Sequence, residues 1–179
     1  MSQPHSVMED FALIRAAQAG DSLAMSRLLD DLAPYVSRIC CGIAIHSGPD
    51  ASQEALIQIF RDLASVREPR ALRGWARRIA TREAIRHAER DRRHAGRGSG
   101  AEGGGDVVSA IPAPGDVSLD ADVRAVLSEL QPEQRAILVL RDLEGLSEKE
   151  AARQLAIAKG TAKSRLHRAR TAFLERWKS

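Results

Sequence analysis

The chain has 179 residues, of which 44% are hydrophobic but only 3% aromatic, with a formal net charge of +3. Its length suits one domain or two small ones, and its Ala, Leu, Ile and Val content favours an all-α fold. No apolar run approaches the roughly 20 residues that span a bilayer, and the polar first residues do not resemble a signal peptide. We therefore expect a cytoplasmic protein without membrane insertion.

The first predicted helix, 11–19, ends at a glycine, and either Asp21 or Ser22 can cap the second helix. Pro34 is expected at a bend or at a first turn, which separates this second helix from a third one over 35–45. That third helix is apolar nearly all round, as is typical of a buried, central element.

Two adjacent cysteines, Cys40 and Cys41, lie in this third helix. They cannot join distant segments, so a disulfide framework is excluded and a reducing compartment fits. We interpret them as small core residues, because a metal site built from them and His46 would lack further ligands nearby. Neither a metal nor a cofactor is therefore expected.

Residues 52–63 are predicted to form an amphipathic helix with a buried stripe of Ala55, Leu56, Ile59, Phe60 and Leu63. Ile57 lies off this stripe, on the same side as Arg61. An isolated exposed isoleucine is ordinary, but within a mixed polar face it could also belong to a protein-contact surface. The sequence leaves both interpretations open.

A long helix is predicted over 72–90, with Trp75 near its start as a core anchor rather than a base-stacking residue. The stretch 61–97 contains twelve arginines and five acids, whereas residues 1–60 contain three basic and seven acidic side chains. Arginine suits contacts with phosphates and base edges. The charge pattern suggests one surface for a protein and separate surfaces for a polyanion.

Residues 94–117, rich in Gly and containing two prolines, are predicted to form a flexible linker because they cannot bury enough apolar surface. This divides the chain into a first domain, 8–93, and a second domain, 118–178. In the second domain, a helix over 120–130 and another beginning at Pro132 precede two further helices.

These last two helices form the pattern of a helix-turn-helix. Ser147 is predicted as the N-cap of the first, with Glu150 completing a capping box, and a break over 157–160 leads into the second. On that second helix, Ala162, Leu166, Ala169, Phe173 and Trp177 share an apolar face, while the opposite face offers hydroxyls, an imidazole and cations. A solvated helix face and a DNA-reading helix are both compatible with this pattern taken alone.

Three stretches together resemble the extracytoplasmic-function (ECF) sigma factor family. Leu130 to Ser147 and Gly160 to Arg170 resemble region 4, Leu72 to Arg93 resembles regions 2.3 and 2.4, and Phe11 to Phe60 resembles regions 1.2 to 2.2. The resemblance implies a sigma region 2-like helical bundle and a sigma region 4-like helix-turn-helix. It implies a non-enzymatic transcription initiation factor whose partners are core RNA polymerase, promoter DNA and an anti-sigma factor.

The resemblance also implies roles for individual residues. The −35 element would be read by Lys159, Thr161, Lys163, Ser164, Arg165, His167 and Arg168. The −10 region would be contacted by Trp75, Arg78, Arg82 and Arg86. The polymerase would be bound by Glu54, Ile57, Gln58 and Arg61.

The alternative hypothesis is a stand-alone helix-turn-helix transcriptional regulator, whose first domain dimerises or senses a signal. The face of helix 52–63 discriminates between the two, because only a sigma factor needs it for polymerase binding. An enzyme has almost no support, since no phosphate loop, metal-ligand spacing or nucleophile motif occurs in the sequence.

Overall fold

The computed structural model describes residues 11–95 and 121–178, and within these ranges it contains helices and no strand. The helices are α1 Phe11–Gln18, α2 Ser22–Ile43, α3 Gly48–Asp62, α4 Leu72–Ala95, α5 Ala121–Ser128, α6 Pro132–Leu138, α7 Glu148–Gln154 and α8 Lys159–Trp177. Short 3₁₀ turns over Leu63–Ser65 and Pro69–Ala71 join α3 to α4, and a π-helical segment, Val139–Leu143, continues α6. The all-α prediction is confirmed. Within the two described ranges, no helix is both long and apolar enough to cross a membrane.

The junction between α1 and α2 follows local sequence signals. Gly20 has a φ of +95°, a left-handed conformation that glycine adopts without steric cost. Asp21 is the N-cap of α2, and its carboxylate accepts a hydrogen bond from the Ala24 backbone N–H at 2.9 Å. Both predicted helix boundaries are therefore confirmed.

The prediction that Pro34 separates two helices is wrong, because α2 continues through it as one helix of 22 residues. A proline inside a helix costs about 3 kcal/mol relative to alanine. Leu32, Val36 and Ile39, on both sides of the proline, are completely buried, and burying each such side chain contributes about 1.5–3 kcal/mol. Tertiary packing on both sides of Pro34 therefore outweighs the local penalty.

Helices α1 to α4 share one hydrophobic core. Its fully buried large side chains are Ile14, Leu28, Leu32, Ile39, Ile43, Ile59, Leu63 and Leu72. Cys40 is buried within it and Cys41 is partly buried, and both are free thiols. Burial raises the pKa of the Cys40 thiol far above its usual value, which keeps it protonated and inert.

Helices α6 to α8 enclose a second, smaller core. It contains Ile137, Leu140, Leu146, Ala151, Ala152, Ala162, Leu166 and Ala169. The predicted apolar face of α8 is thus confirmed over its first three turns. It is wrong at the end, because Trp177 is 49% exposed and stacks on Phe173 instead, with ring centroids 6.0 Å apart.

The two groups of helices, α1–α4 and α5–α8, also touch each other. Ala136 and Val139 lie within the first core although they belong to the second group. Helix α4 extends to Ala95, so the predicted linker 94–117 begins inside a helix, and its remainder falls outside the described residues. The domain limits 8–93 and 118–178 stay a prediction.

Candidate nucleic-acid and protein-binding surfaces

Helices α7 and α8 form a helix-turn-helix. The Ser147 hydroxyl accepts from the Glu150 backbone N–H at 3.3 Å, and the Glu150 carboxylate accepts from the Ser147 backbone N–H at 2.8 Å. The predicted capping box is therefore confirmed. The Ser147 hydroxyl also donates to the Glu150 carboxylate at 2.6 Å, and this bond together with that from the Ser147 backbone N–H holds the pKa of the Glu150 carboxyl below its usual value.

The turn between α7 and α8 lies earlier than predicted. Helix α7 ends at Gln154, and Ala156 takes a left-handed φ of +53°. The Ile157 backbone N–H then donates to the Ala152 carbonyl at 3.0 Å, which closes the helix end. Gly160, predicted to lie in the break, is instead in the first turn of α8, where no other group lies within 4 Å of its Cβ position. The bend is thus made at an alanine.

The outer face of α8 brings six of the seven predicted −35-reading side chains into solvent. Those exposed are Lys159, Thr161, Lys163, Ser164, His167 and Arg168. Arg165 is only partly exposed, beside the buried Leu166. The Ser164 hydroxyl donates to the Thr161 carbonyl at 3.1 Å, so its orientation is set by its own helix. A single basic helix face of this kind fits a major groove.

A second basic stripe runs along α4. Arg78, Arg82 and Arg86 recur every four residues and are all exposed, as neighbours on one helix face must be. Trp75 is only partly exposed and packs against the first core, which agrees with the core-anchor interpretation. Arg82 lies 3.7 Å from the Glu83 carboxylate, whereas Arg86 forms ion pairs with both Glu83 and Glu54 of α3.

The four predicted polymerase-binding residues lie together in one cleft between α3 and α4. This cleft is lined by Glu54, Ile57, Gln58, Arg61, Asp62, Glu83 and Arg86. The structure therefore places Arg86, a predicted −10 residue, among the predicted polymerase contacts. The cleft is therefore lined by acidic side chains of α3, Glu54 and Asp62, and by Arg86 from the basic stripe of α4.

Glu54 is held by α4 rather than free on the surface. Its carboxylate lies 3.2 Å from Nε2 of the buried His87 and within 4.0 Å of Arg90, in addition to its contact with Arg86. Desolvation alone would raise the pKa of Glu54. The contact with His87 and the charges of Arg86 and Arg90 outweigh this effect, so the pKa of Glu54 lies below its usual value.

The α3 surface contains one apolar residue that the sequence reasoning assigned to the core. Phe60 is 53% exposed, next to Ile57 at 43%, and its predicted burial is wrong. The signal was present in the spacing: positions 57 and 60 are three apart and share a helix face, so one exposed residue implies the other. An exposed aliphatic–aromatic pair beside a polar cleft is typical of a protein-contact site.

Comparison with known proteins agrees with the two predicted halves. The sequence model of sigma-70 region 2 matches residues 26–94, and that of sigma-70 region 4 matches residues 120–173. The chain is 31% identical to the ECF RNA polymerase sigma-E factor of Escherichia coli (strain K12), over 93% of each protein. The chain belongs to the ECF RNA polymerase sigma factor family.

Two further relatives of this ECF sigma factor align over a smaller share of their own length. SigM of Mycobacterium tuberculosis (strain H37Rv) is 32% identical over 90% of this chain and 81% of its own length. SigE of Mycolicibacterium smegmatis is 36% identical over 70% of this chain, but the match spans only about half, 49%, of that protein. All three relatives are ECF RNA polymerase sigma factors.

Two solved structures share the fold. Sigma factor RpoE, in a complex with the anti-sigma factor NepR from Bartonella quintana, superposes with a TM-score of 0.63 at 25% identity, covering 86% of this chain and 96% of that one. CnrH, in complex with the cytosolic domain of CnrY, gives a TM-score of 0.59 at 19% identity over 92% and 94% of the two chains. Sigma factors are transcription initiation factors that bind core RNA polymerase and direct it to promoters. Helices α2–α4 are region 2 of this sigma factor and α5–α8 are its region 4.

Proposed function

We propose that this ECF sigma factor binds core polymerase through α3 and grips a promoter at two points, with α4 at the −10 region and α8 at the −35 element. The observation that supports this most directly is the exposure of two separate basic helix faces, one in each region. A regulator that acts alone has no use for region 2, so the match to that region argues against the alternative.

At the −35 element, the exposed face of α8 supplies both phosphate and base contacts. Lys163 and Arg168 add charge, while Ser164 and His167 offer hydrogen-bonding groups for base edges. Arg168→Ala should lower promoter-specific run-off transcription about 10-fold, as expected for losing one good contact of about 1–3 kcal/mol. Arg124→Ala, which removes an exposed arginine on α5, is the matched control.

Binding to core polymerase should not change in Arg168→Ala, because α3 is untouched. Equal loss of polymerase binding and of promoter use would mean that Arg168 serves the fold, and would contradict the assignment. The −10 stripe is tested in the same assay with Arg78→Ala and Arg82→Ala, which should slow open-complex formation on duplex DNA more than on a promoter with a pre-melted −10 region.

On the polymerase side, we propose that Ile57 and Phe60 form the apolar centre of the docking surface, with Gln58 and Arg61 at its rim. An arginine at position 57 would place a solvated charge where the partner must exclude water. Ile57→Arg should therefore weaken binding to core polymerase at least 10-fold. Leu23→Arg, at an apolar residue of α2 that is 70% exposed, is the control and should bind normally.

Glu54→Arg is a less selective test of polymerase binding than Ile57→Arg, because Glu54 also contacts α4. It would place a positive charge against Arg86, His87 and Arg90, and would disturb the packing of α3 on α4. We therefore propose that Glu54 positions α4 as well as facing the polymerase. Unchanged polymerase binding in Ile57→Arg, with DNA binding preserved, would favour the stand-alone regulator.

We further propose that the protein works in the cytoplasm, has no catalytic activity of its own and is controlled by an anti-sigma factor. The support for control is the related sigma factor RpoE, whose solved structure contains an anti-sigma factor. Affinity purification of the chain from its native cell, followed by identification of a stoichiometric partner that blocks run-off transcription, tests this. A chain that is unbound and fully active under all growth conditions would contradict it.

A further inference from the structure

One flank of α8, at the edge of its apolar face, presents three cations. At about 100° per residue, Lys159, Lys163 and Arg170 fall within about 40° of each other around the helix, between its buried side and its outer face. All three side chains are exposed. Lys159 and Lys163 form no ion pair within the described residues, whereas Arg170 pairs with Asp142. Arg170 is therefore the cation of this flank that is held in place before a ligand arrives.

Asp142 holds the guanidinium of Arg170 by two of its nitrogens. Nε donates to one carboxylate oxygen at 3.3 Å, and Nη2 donates to the other, which is the side-by-side pairing that a guanidinium and a carboxylate favour. Asp142 belongs to the π-helical segment Val139–Leu143, in which Leu140 is fully buried in the second core. The plane of the guanidinium is thus set by a packed part of region 4.

The third nitrogen of Arg170, Nη1, has no hydrogen-bond partner among the residues that the structure describes. About half of the side chain, 51%, is exposed, so the guanidinium is open to an incoming group. Phosphate oxygens suit a guanidinium as acceptors. A side chain whose orientation is fixed beforehand also loses less conformational freedom when it binds. The Arg170–Asp142 pair is therefore arranged to present one free edge of the guanidinium to an anionic oxygen.

The position of Arg170 on the helix selects the kind of acceptor. An α-helix with its side chains is roughly 10–12 Å across, and the major groove of B-DNA is about 12 Å wide. The middle of the outer face, where Ser164 and His167 lie, then points at base edges, while the flanks lie against groove walls lined by phosphates. Arg170 shares its flank with Lys163, two helical turns away. The acceptor that this position selects is a backbone phosphate rather than a base.

We propose that Arg170 is a further DNA-contacting residue, which binds a backbone phosphate on the wall of the major groove, and that Asp142 is the positioning residue that presents it. The proposal rests on the proposed function of α8 at the −35 element. It adds a contact that carries no sequence information, and it gives an acidic residue outside α8 a role in DNA binding.

The first test is a salt titration of holoenzyme, made from the full chain and core polymerase, with a fluorescent promoter duplex. Arg170→Ala should weaken binding about threefold, the size of one exposed ion pair. It should also reduce the slope of log affinity against log salt by about 0.9, the value for one phosphate contact. Because phosphates are the same in every sequence, the loss should be equal on the promoter and on a duplex with a scrambled −35 element.

Arg176→Ala is the matched control. Arg176 also lies on α8 and also pairs with an acid of region 4, Glu129, at 2.9 Å. It lies in the last turn, however, about 120° around the helix from Arg170. We expect no change of affinity or slope in Arg176→Ala. An unchanged slope in Arg170→Ala, or equal changes in both variants, would overturn the phosphate contact.

A double-mutant cycle tests the positioning role of Asp142, since its carboxylate both orients Arg170 and repels phosphate. The repulsion is weakened at about 0.15 M salt, where the screening length is about 8 Å. There, Asp142→Ala should weaken binding about threefold, the cost of ordering one long side chain on binding. In the Arg170→Ala background it should cause no further loss. Tighter binding of Asp142→Ala in both backgrounds would mean that Asp142 only repels DNA, and equal losses in both would mean that it serves the fold; either result overturns positioning.

Arg168→Ala in the same titration separates this proposal from the one on which it rests. If Arg168→Ala weakens promoter binding while Arg170→Ala changes neither affinity nor slope, α8 keeps its −35 role and the contact by Arg170 is overturned. If neither variant changes binding, the proposed promoter function of α8 fails together with the contact. Thermal melting followed by circular dichroism checks that each variant remains folded.

Discussion

Replacing the buried Arg135 by methionine should destabilise the chain far more than the loss of a surface arginine. Its NH1 group donates to the carbonyls of Leu127, Ser128 and Leu130 at 3.2, 3.2 and 2.9 Å, and its Nε donates to the carbonyl of Ile43. Leu127 and Ser128 are the last two residues of α5 and Leu130 follows them, so these carbonyls lie where a helix end leaves acceptors without helical partners; that of Leu127 also accepts from the Leu130 backbone N–H at 3.0 Å. One guanidinium therefore secures the end of α5 and the end of α2.

The expected magnitude follows from these four hydrogen bonds. A hydrogen bond to a charged group contributes about 1.5–3 kcal/mol, but four bonds to one group are not additive, and removing a buried charge recovers part of its desolvation cost. We expect Arg135→Met to lower the free energy of unfolding by about 2–4 kcal/mol. Arg135→Lys should give a free energy of unfolding between those of wild type and Arg135→Met, because a single ammonium group cannot replace the planar guanidinium.

The free energy of unfolding is measured by urea titration of the full chain, monitored through the helical circular-dichroism signal. The slope of this free energy against urea concentration is compared between variants. Arg124→Met, at an exposed arginine of α5, is the control and should change stability by less than about 0.5 kcal/mol. A loss below about 1 kcal/mol for Arg135→Met, or one equal to the control, would show that water replaces the guanidinium at these carbonyls and would refute the reasoning.

Three smaller predictions concern the helix-turn-helix and the α3 surface. Ala156→Gly should raise the free energy of unfolding by about 0.5–1 kcal/mol in urea titrations, because the left-handed φ of +53° strains alanine but not glycine; a loss would mean that the alanine methyl packs favourably. The pKa of Glu150 is lowered on folding, so its capping contribution is complete above the usual value of 4.5 and is lost as the pH falls through the lower folded value. The stability difference between wild type and Glu150→Gln should therefore shrink between pH 6 and pH 3; a constant difference would exclude the carboxylate as its source. Phe60→Ser should weaken core polymerase binding without lowering thermal stability, since about half of the ring is already exposed to solvent. A large fall in melting temperature would mean that Phe60 contributes to the core.

In the proposed assignment, one cleft of region 2 serves both polymerase binding and DNA binding, and this bears on how substitutions there should be interpreted. Glu54 and Glu83 both contact Arg86, so an acidic residue of α3, the proposed polymerase-binding helix, also orients α4, the proposed −10-binding helix. Substitutions at Glu54 or Arg86 will consequently alter both activities together. Ile57 and Arg78 separate them, because each lies on one helix face only.

Local features of this fold could be predicted from the sequence because their causes lie within a few residues. The capping box at Ser147 and Glu150 and the Asp21 cap depend on side chains next to the backbone groups that they satisfy. The apolar face of α8 at Ala162, Leu166 and Ala169 follows from helical periodicity. The family resemblance rested on such local motifs, and the matches to regions 2 and 4 confirm it.

The helical class, the two sigma regions and their basic faces could thus be predicted without a structure, since periodicity, capping and charge are properties of neighbouring residues. Long-range packing, in contrast, makes α2 continue through Pro34, leaves Phe60 facing solvent, and buries Glu144 against Tyr35 and Arg38. These outcomes depend on which helix packs on which face, and on partners about 100 residues away in the chain. A local pattern contains no information about such partners, because their energy arises only when distant segments exclude water together.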